Sequence, residues 1–403
     1  IVHFDKSTPV YQVTTSLSGK AGIEAVQANR RMNVNIQRRR HIPAKIATTR
    51  ADGTHFFNDP ALPSQWNYIN TGNYSFNREG AAALAGCDVG CEEAWPLCTG
   101  DPSIIVAVMD EGVMYTHPDL ADNMWVNEGE TLGSDVDNDG NGYKGDVYGW
   151  NCVKDSPYIT WQRMGDTGHG THVAGTIAAV NNNGIGVSGI AGGSGKKDGV
   201  KIMTLQVFDD GYTCLLTNEC RGMKYAADNG AVILQCSWGY NSYLANPIIG
   251  FTPGPKDTEV WTALYPLERD ALDYFTHYAG SPNGVIEGGL AFYASGNEYA
   301  AAPSFPAAYE GCIAVSAVGP DYTPASYGDY GSKVELCAPG GDLEQYCLPG
   351  TDTEEYLVGA DVPIAHYEGT QQAAILSTCV VEANAGYAWY EGTSMACPNA
   401  AGV

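Results

Sequence analysis

The sequence predicts an α/β fold: a mostly parallel central sheet flanked by helices. Three observations carry this expectation. From residue 103 onward, continuous apolar runs recur at 104–109, 200–207, 231–236, 290–294 and 312–318, as strands buried on both faces require. Helix-like segments at 171–180, 220–229 and 262–278 lie between them, and strand–helix alternation is the pattern of parallel pairing. Asp110 and Asn297 fall just past the ends of two of the runs, where open α/β sheets place their ligands.

The N-terminal part reads differently. Residues 1–4 read as a strand, 22–29 as a short helix and 33–39 as a second strand. A polar stretch at 48–54 reads as a linker, and a turn-rich stretch follows at 57–72. Nine Lys and Arg against Asp5 and Glu24 give the first 50 residues a net charge of +7, leaving −32 on the rest of a chain of net charge −25. So sharp a sign change places a boundary near residue 50. The expected organisation is an N-terminal extension over 1–52 and one large domain over 53–403, with loop insertions at 240–259 and 342–373.

Composition narrows the function. Hydrophobic residues at 44% and charged residues at 17% describe a globular chain. Its acidity speaks against a nucleic-acid partner, which needs basic patches. No apolar run approaches the roughly 18 residues of a membrane span, and no signal peptide is visible. Twelve cysteines favour an oxidising compartment, hence a secreted or cell-surface location with disulfides, Cys214–Cys220 being an easy local candidate. The cluster Cys87, Cys91, Cys98 lacks the second pair that a zinc ribbon needs.

Three blocks carry chemistry. A hydroxyl nucleophile needs a base, and the base needs a partner that fixes its tautomer. The chain offers Val108-Met109-Asp110-Glu111-Gly112, then Gly168-His169-Gly170-Thr171-His172, then Gly392-Thr393-Ser394-Met395-Ala396-Cys397-Pro398. Singly, each is ordinary: an Asp after a strand is usually a turn residue, and Gly-Thr-Ser is usually a loop. Together, in the order Asp, His, Ser, they resemble the active-site blocks of the subtilisin-like serine proteases, the subtilases, over about residues 58–403. His169 opens a helix between two glycines, which allow close backbone approach. Ser394 lies at a helix start, where the dipole favours developing negative charge, and Pro398 is expected in the first turn, where amides lack helical partners. His172 and His117 read as structural.

The resemblance implies a three-layer subtilisin-like fold and a secreted serine endopeptidase working through an acyl-enzyme. Asp110 would be the orienting carboxylate, His169 the general base and acid, and Ser394 the nucleophile. Asn297, in Ala294-Ser295-Gly296-Asn297, would supply the oxyanion donor together with the Ser394 amide. Extended protein or peptide substrate would lie as an added strand beside Ser237-Trp238-Gly239 and Ser295-Gly296. Ser237-Trp238-Gly239 also resembles the pocket segment of the kexin branch, which prefers basic P1 residues. Residues 1–52 would be the later part of a prodomain acting as the enzyme's own inhibitor, released near 48–55 or at Arg38-Arg39-Arg40, which makes the chain a zymogen. The alternative is a catalytically silent, calcium-stabilised extracellular binding module.

Asp135, Asp137, Asp139, Asn141 and Asp146, with Gly140 at the sixth position, match the spacing of a calcium loop. The absence of His or Cys within it disfavours zinc, and Ca2+ is the expected cofactor. Asn181-Asn182-Asn183-Gly184 resembles a further calcium-ligating loop, without assigned ligands. Two departures from the family stand out. Asn399 follows Pro398 where His is usual, from which a packing change is expected. The chain also stops nine residues past the nucleophile, at Val403, and is expected to be a piece of a longer one.

Overall fold

The computed structural model describes the whole chain except residues 1, 6, 24, 34, 37–39, 44–55, 75, 162–167, 210–212, 281–285, 348–353, 357–362, 366–370 and 381–385. Seven strands form its central sheet: β1 Ile105–Asp110, β2 Gly149–Asn151, β3 Lys201–Gln206, β4 Ile233–Cys236, β5 Leu290–Ala294, β6 Ile313–Val318 and β7 Leu336–Pro339. Their order across the sheet is β7-β6-β5-β4-β1-β3-β2, and every neighbouring pair is parallel. The five apolar runs became the five inner strands. The two edge strands, short and without such a run, were not legible.

Both faces of the sheet are covered. Val106 and Val108 point to one side, among Val173, Ala174 and Ile177 of helix α1 (His169–Ala178) and Met395, Ala396 and Ala401 of helix α4 (Thr393–Gly402). Ala107 and Met109 point to the other, among Met223 and Ala226 of helix α2 (Leu216–Asp228) and Leu272 and Phe275 of helix α3 (Pro266–Tyr278). The strand's two-residue period thus feeds two cores, and each fully buried aliphatic side chain contributes about 1.5–3 kcal/mol. The helix read as continuous over 262–278 is two, Thr258–Leu264 and Pro266–Tyr278. Pro266 opens the second helix, at a position where its missing amide costs no helical bond. No described helix is long and apolar enough to cross a membrane.

The N-terminal reading needs correction. The helix lies at Val10–Leu17, behind Pro9, with no buried residue; Val2–Phe4 is not strand, and neither 22–23 nor 25–29 is helix. Three short strands follow, at Arg31–Asn33, Asn35–Ile36 and Arg40–Pro43. They pair with Thr213–Leu215, with Trp238–Gly239, and with β9 (Tyr387–Glu391), which is itself paired with β8 (Ile375–Thr378). Their partners come from the far end of the chain, so local pattern could not locate them. The expected linker, the release sites at 48–55 and residues 38–39 lie outside the described residues.

The expected Cys214–Cys220 disulfide is not formed. Cys87, Cys91, Cys98, Cys152, Cys214, Cys220, Cys236, Cys312, Cys337 and Cys397 are free thiols. Cys214 is buried with its Sγ turned to the Leu215 carbonyl at 3.4 Å, not to Cys220, and Cys236 and Cys397 are packed as small core residues.

Candidate active site

The parallel register brings two strand ends together. Val108 of β1 pairs with Gln235 of β4. Two residues on, Asp110 closes β1 and Ser237 lies just past the end of β4, so both are set at the carboxyl ends of neighbouring strands. Each holds one of the other two candidate residues.

Asp110 is buried, and its oxygens lie 3.0 and 2.9 Å from Nδ1 of His169. Its Oδ1 also accepts the Glu111 amide at 2.7 Å. A carboxylate facing Nδ1 fixes the proton there and leaves Nε2 as the basic nitrogen. Nε2 of His169 is buried and makes no hydrogen bond among the described residues. The close fit depends on Gly170: a Cβ there would sit 2.5 Å from the Gly112 carbonyl oxygen.

Ser394 is the second residue of α4, after Gly392 at φ 147°, and is fully buried. Its Oγ donates to the Ser237 carbonyl at 2.8 Å, and Ser237 Oγ donates to the Ser394 carbonyl at 2.7 Å. The second bond answers a defect. Pro398 is the sixth residue of the helix, not a first-turn residue as expected. Its missing N–H leaves the carbonyl four residues back, that of Ser394, without a helical partner, and the Ser237 hydroxyl takes that place. No hydrogen bond joins Ser394 to His169 among the described residues. To reach Nε2 the hydroxyl must turn away from Ser237.

Asn297 lies just past β5. Its Oδ1 accepts from the Thr393 amide at 3.0 Å and from Thr393 Oγ1 at 2.9 Å. With the acceptor end committed beside the nucleophile, Nδ2 remains as the donor end. The adjoining turn is held by Asp329, whose Oδ1 accepts the Glu298 and Ala300 amides at 3.1 and 2.8 Å. Burial raises Glu298, and burial with the neighbouring Glu298 raises Asp329, so neither carboxyl favours its charged form. Burial pushes the nearby Cys397 thiol up to about 12, which keeps it a poor nucleophile.

The expected substrate residues divide. Gly239 and the Trp238 backbone form a strand paired antiparallel with Asn35–Ile36, so this edge does accept an extended chain. The Trp238 side chain belongs to the core: it is fully buried, and Nε1 donates to the Met109 carbonyl at 2.7 Å. Ser295 is corrected as a main-chain partner, since its amide bonds Val315 and its carbonyl accepts the Ser304 amide. The Gly296 carbonyl accepts the Asp329 amide at 3.0 Å.

Both other histidines are structural. His172 Nε2 lies 3.1 Å from the Ile375 and Ala388 carbonyls. His117 accepts the Asp119 amide at Nδ1 and faces the Gly386 carbonyl through Nε2, and burial lowers it to about 4. Asn399 packs as expected, donating to the Pro339 and Met395 carbonyls and accepting from Asn67.

The acidic loop converges on a different set from the one expected. Oxygens of Glu130, Asp137 and Asp139 lie within 4.8 Å of one another. Asp135 and Asp146 are not in this group: Asp146 accepts from Tyr225 Oη and from Asn141 Nδ2, and Asn141 Oδ1 accepts the Tyr143 amide at 2.7 Å. Glu130 precedes the motif and carried no spacing signal. The loop at 181–187 wraps Asp59 and Asp119 mainly through donors: the Asn182 and Asn183 amides reach Asp59, and the Val187 amide and Asn183 Nδ2 reach Asp119.

The chain is similar to known proteins. A family model described as "Subtilase family" matches residues 101–403. Halolysin of Haloferax mediterranei is 29% identical over 252 residues, 62% of this chain and 38% of its own length. Thermitase of Thermoactinomyces vulgaris is 29% identical over 248 residues, 62% of this chain and 66% of its own. The halolysin-like extracellular serine protease Nep of Natrialba magadii is 29% identical over 257 residues, 63% and 37%. The chain thus spans under two fifths of the two halolysin-type relatives' length. Among solved structures, a protease of Pseudoalteromonas arctica covers 86% of this chain and 85% of its own at 23% identity and a TM-score of 0.52. The serine protease of Aeromonas sobria, in complex with its chaperone, covers 89% and 55% at 21% identity and 0.56. At these identities the two structures speak for the fold.

Proposed function

The chain belongs to the subtilase family, and from that premise we propose that it is a serine endopeptidase that cleaves peptide bonds through an acyl-enzyme. The observation that carries the reading is the Asp110–His169 pair set one strand away from the serine held by Ser237.

Ser394 Oγ attacks the scissile carbonyl carbon as its proton passes to His169 Nε2. Asp110 holds the imidazole and stabilises its charged form without taking the proton. The oxyanion is met by Asn297 Nδ2 and by the Ser394 amide, a first-turn amide with no helical acceptor. His169 returns the proton to the leaving amine, then activates water to release the acyl group from Ser394. The edge at Trp238–Gly239, covered by Asn35–Ile36, would supply main-chain bonds for an extended substrate once that segment is displaced.

That edge carries Asn35–Ile36, and Arg40–Pro43 pairs with β9, which leads directly into Gly392 and Ser394. These pairings support residues 1–52 as the chain's own inhibitor, a zymogen arrangement in which the first 50 residues' +7 meets the −32 of the rest. A location outside the cell accords with the extracellular relative Nep. Three convergent carboxylates offer only hard oxygen donors, which fits Ca2+. Glu130, Asp137 and Asp139 would hold the ion, which would brace the loop and take no part in bond cleavage.

A peptide-library digest read by mass spectrometry, on the chain as purified and after removal of residues 1–52, tests the reading and the P1 preference together. Cleavage that requires Ser394 is expected, faster after removal. Absence of Ser394-dependent cleavage in both samples would favour the silent binding module.

A further inference from the structure

We propose that Glu111 is a positioning residue for the catalytic pair, its carboxylate anchoring the helix that presents His169 while its amide holds Asp110. The proposal rests on the serine-peptidase reading above.

Glu111 is only 4% exposed, and its Oε1 accepts the His169 amide proton at 2.6 Å. The amide of the same residue donates to Asp110 Oδ1 at 2.7 Å. One residue thus ties both members of the Asp–His pair, by two chemically separate groups.

The helix needs such an anchor. α1 starts after Gly168, which has no side chain to cap it, and the first amides of any helix lack internal acceptors. Glu111 reaches across from the end of β1 to supply the missing acceptor, at the positive end of the helix dipole, where a carboxylate is favoured. His169 is the first residue of that helix, so the anchored amide belongs to the residue that must hold its imidazole against Asp110. A second stitch, the Met114 amide to Thr171 Oγ1 at 3.0 Å, fixes the helix two residues along but leaves the placement of its first residue to Glu111.

Substitution of the side chain leaves the amide tie intact, so the carboxylate can be tested alone. Glu111→Ala is expected to lower kcat per titrated active site about 10- to 100-fold, the scale of a misplacement near 1 Å, with KM within about twofold. Glu111→Gln keeps an acceptor oxygen in place and is expected to remain within about fivefold of wild type. A merely structural role would lower the melting temperature and the titratable fraction but leave kcat per site unchanged; a role in binding substrate would move KM. Either result overturns the proposal.

A readout independent of turnover uses the chain carrying Ser394→Ala. The His169 amide proton, followed by NMR, is expected to be shifted downfield and slow to exchange with Glu or Gln at 111, and fast to exchange with Ala. An unchanged amide in Glu111→Ala overturns the proposal. A Glu111-dependent amide in a protein without turnover upholds the anchor and removes only the peptidase reading.

Discussion

The mutual bonds of Ser237 and Ser394 make a sharp prediction about a proline. The Ser237 hydroxyl donates to the carbonyl that Pro398 leaves without a helical partner, and accepts from Gln235 Nε2 at 2.8 Å. Ser237→Ala therefore orphans one buried acceptor and one buried donor. At about 1–3 kcal/mol for each such group, the chain should lose about 2–6 kcal/mol. In that background Pro398→Ala restores an N–H four residues along from Ser394 and should recover about 1–2 kcal/mol. With Ser237 present the same substitution brings a second donor to a carbonyl already satisfied and should gain little. The expected result is a coupling of about 1–2 kcal/mol between residues 237 and 398. Urea denaturation of the four chains of this cycle, all carrying Ser394→Ala to prevent self-digestion, measures it. Effects that add within about 0.5 kcal/mol would refute the claim that the Ser237 hydroxyl stands in for the proline's missing amide.

Three further predictions concern the site's surroundings. Asn297→Ala should lower kcat about 10²–10³-fold, and Asn297→Asp, which keeps the acceptor for Thr393 but loses the Nδ2 donor, should lower it comparably; steady-state kinetics checks both. His117, lowered to about 4 by burial, stays neutral in the folded chain where an ordinary histidine, near 6.5, takes a proton. The unfolded chain then binds more protons between pH 6.5 and 4, so stability present above pH 6.5 is lost as pH falls through that window, by about 3 kcal/mol; His117→Gln should flatten that part of a melting-temperature profile. Calcium at about 100 times its dissociation constant should add about 2.7 kcal/mol, lost with EDTA and abolished by Asp139→Asn, as scanning calorimetry would record; a melting temperature indifferent to EDTA removes the metal claim.

What the sequence made legible follows from where its signals come from. The inner strands showed because burial on both faces forces unbroken apolar runs, as in Val106-Ala107-Val108-Met109. Gly149–Asn151 and Leu336–Pro339 did not, because an edge strand has one neighbour and a weaker apolar demand. Asp110, His169 and Ser394 stood out through their frames, yet their supports did not. Glu111 reads as one more acid, and only the fold aims it at the His169 amide. Glu130 lies outside the calcium-loop spacing and enters the cluster through the chain's return at 137–139. Ser237 was noticed for its backbone, and its hydroxyl's task exists only because Pro398 lies across the sheet edge from it. The cysteines misled because composition indicates a compartment and not a geometry: buried thiols such as Cys236 fill core volume without facing a partner.

Active-site labelling goes to the centre of the account. A fluorophosphonate reacts with a serine hydroxyl only when a neighbouring base takes its proton, and peptide mapping by mass spectrometry identifies the modified residue. With calcium at neutral pH, and with residues 1–52 removed, a single adduct on Ser394 is predicted, lost in His169→Ala and strongly slowed in Asp110→Asn. An unlabelled Ser394, or labelling indifferent to His169, would contradict it.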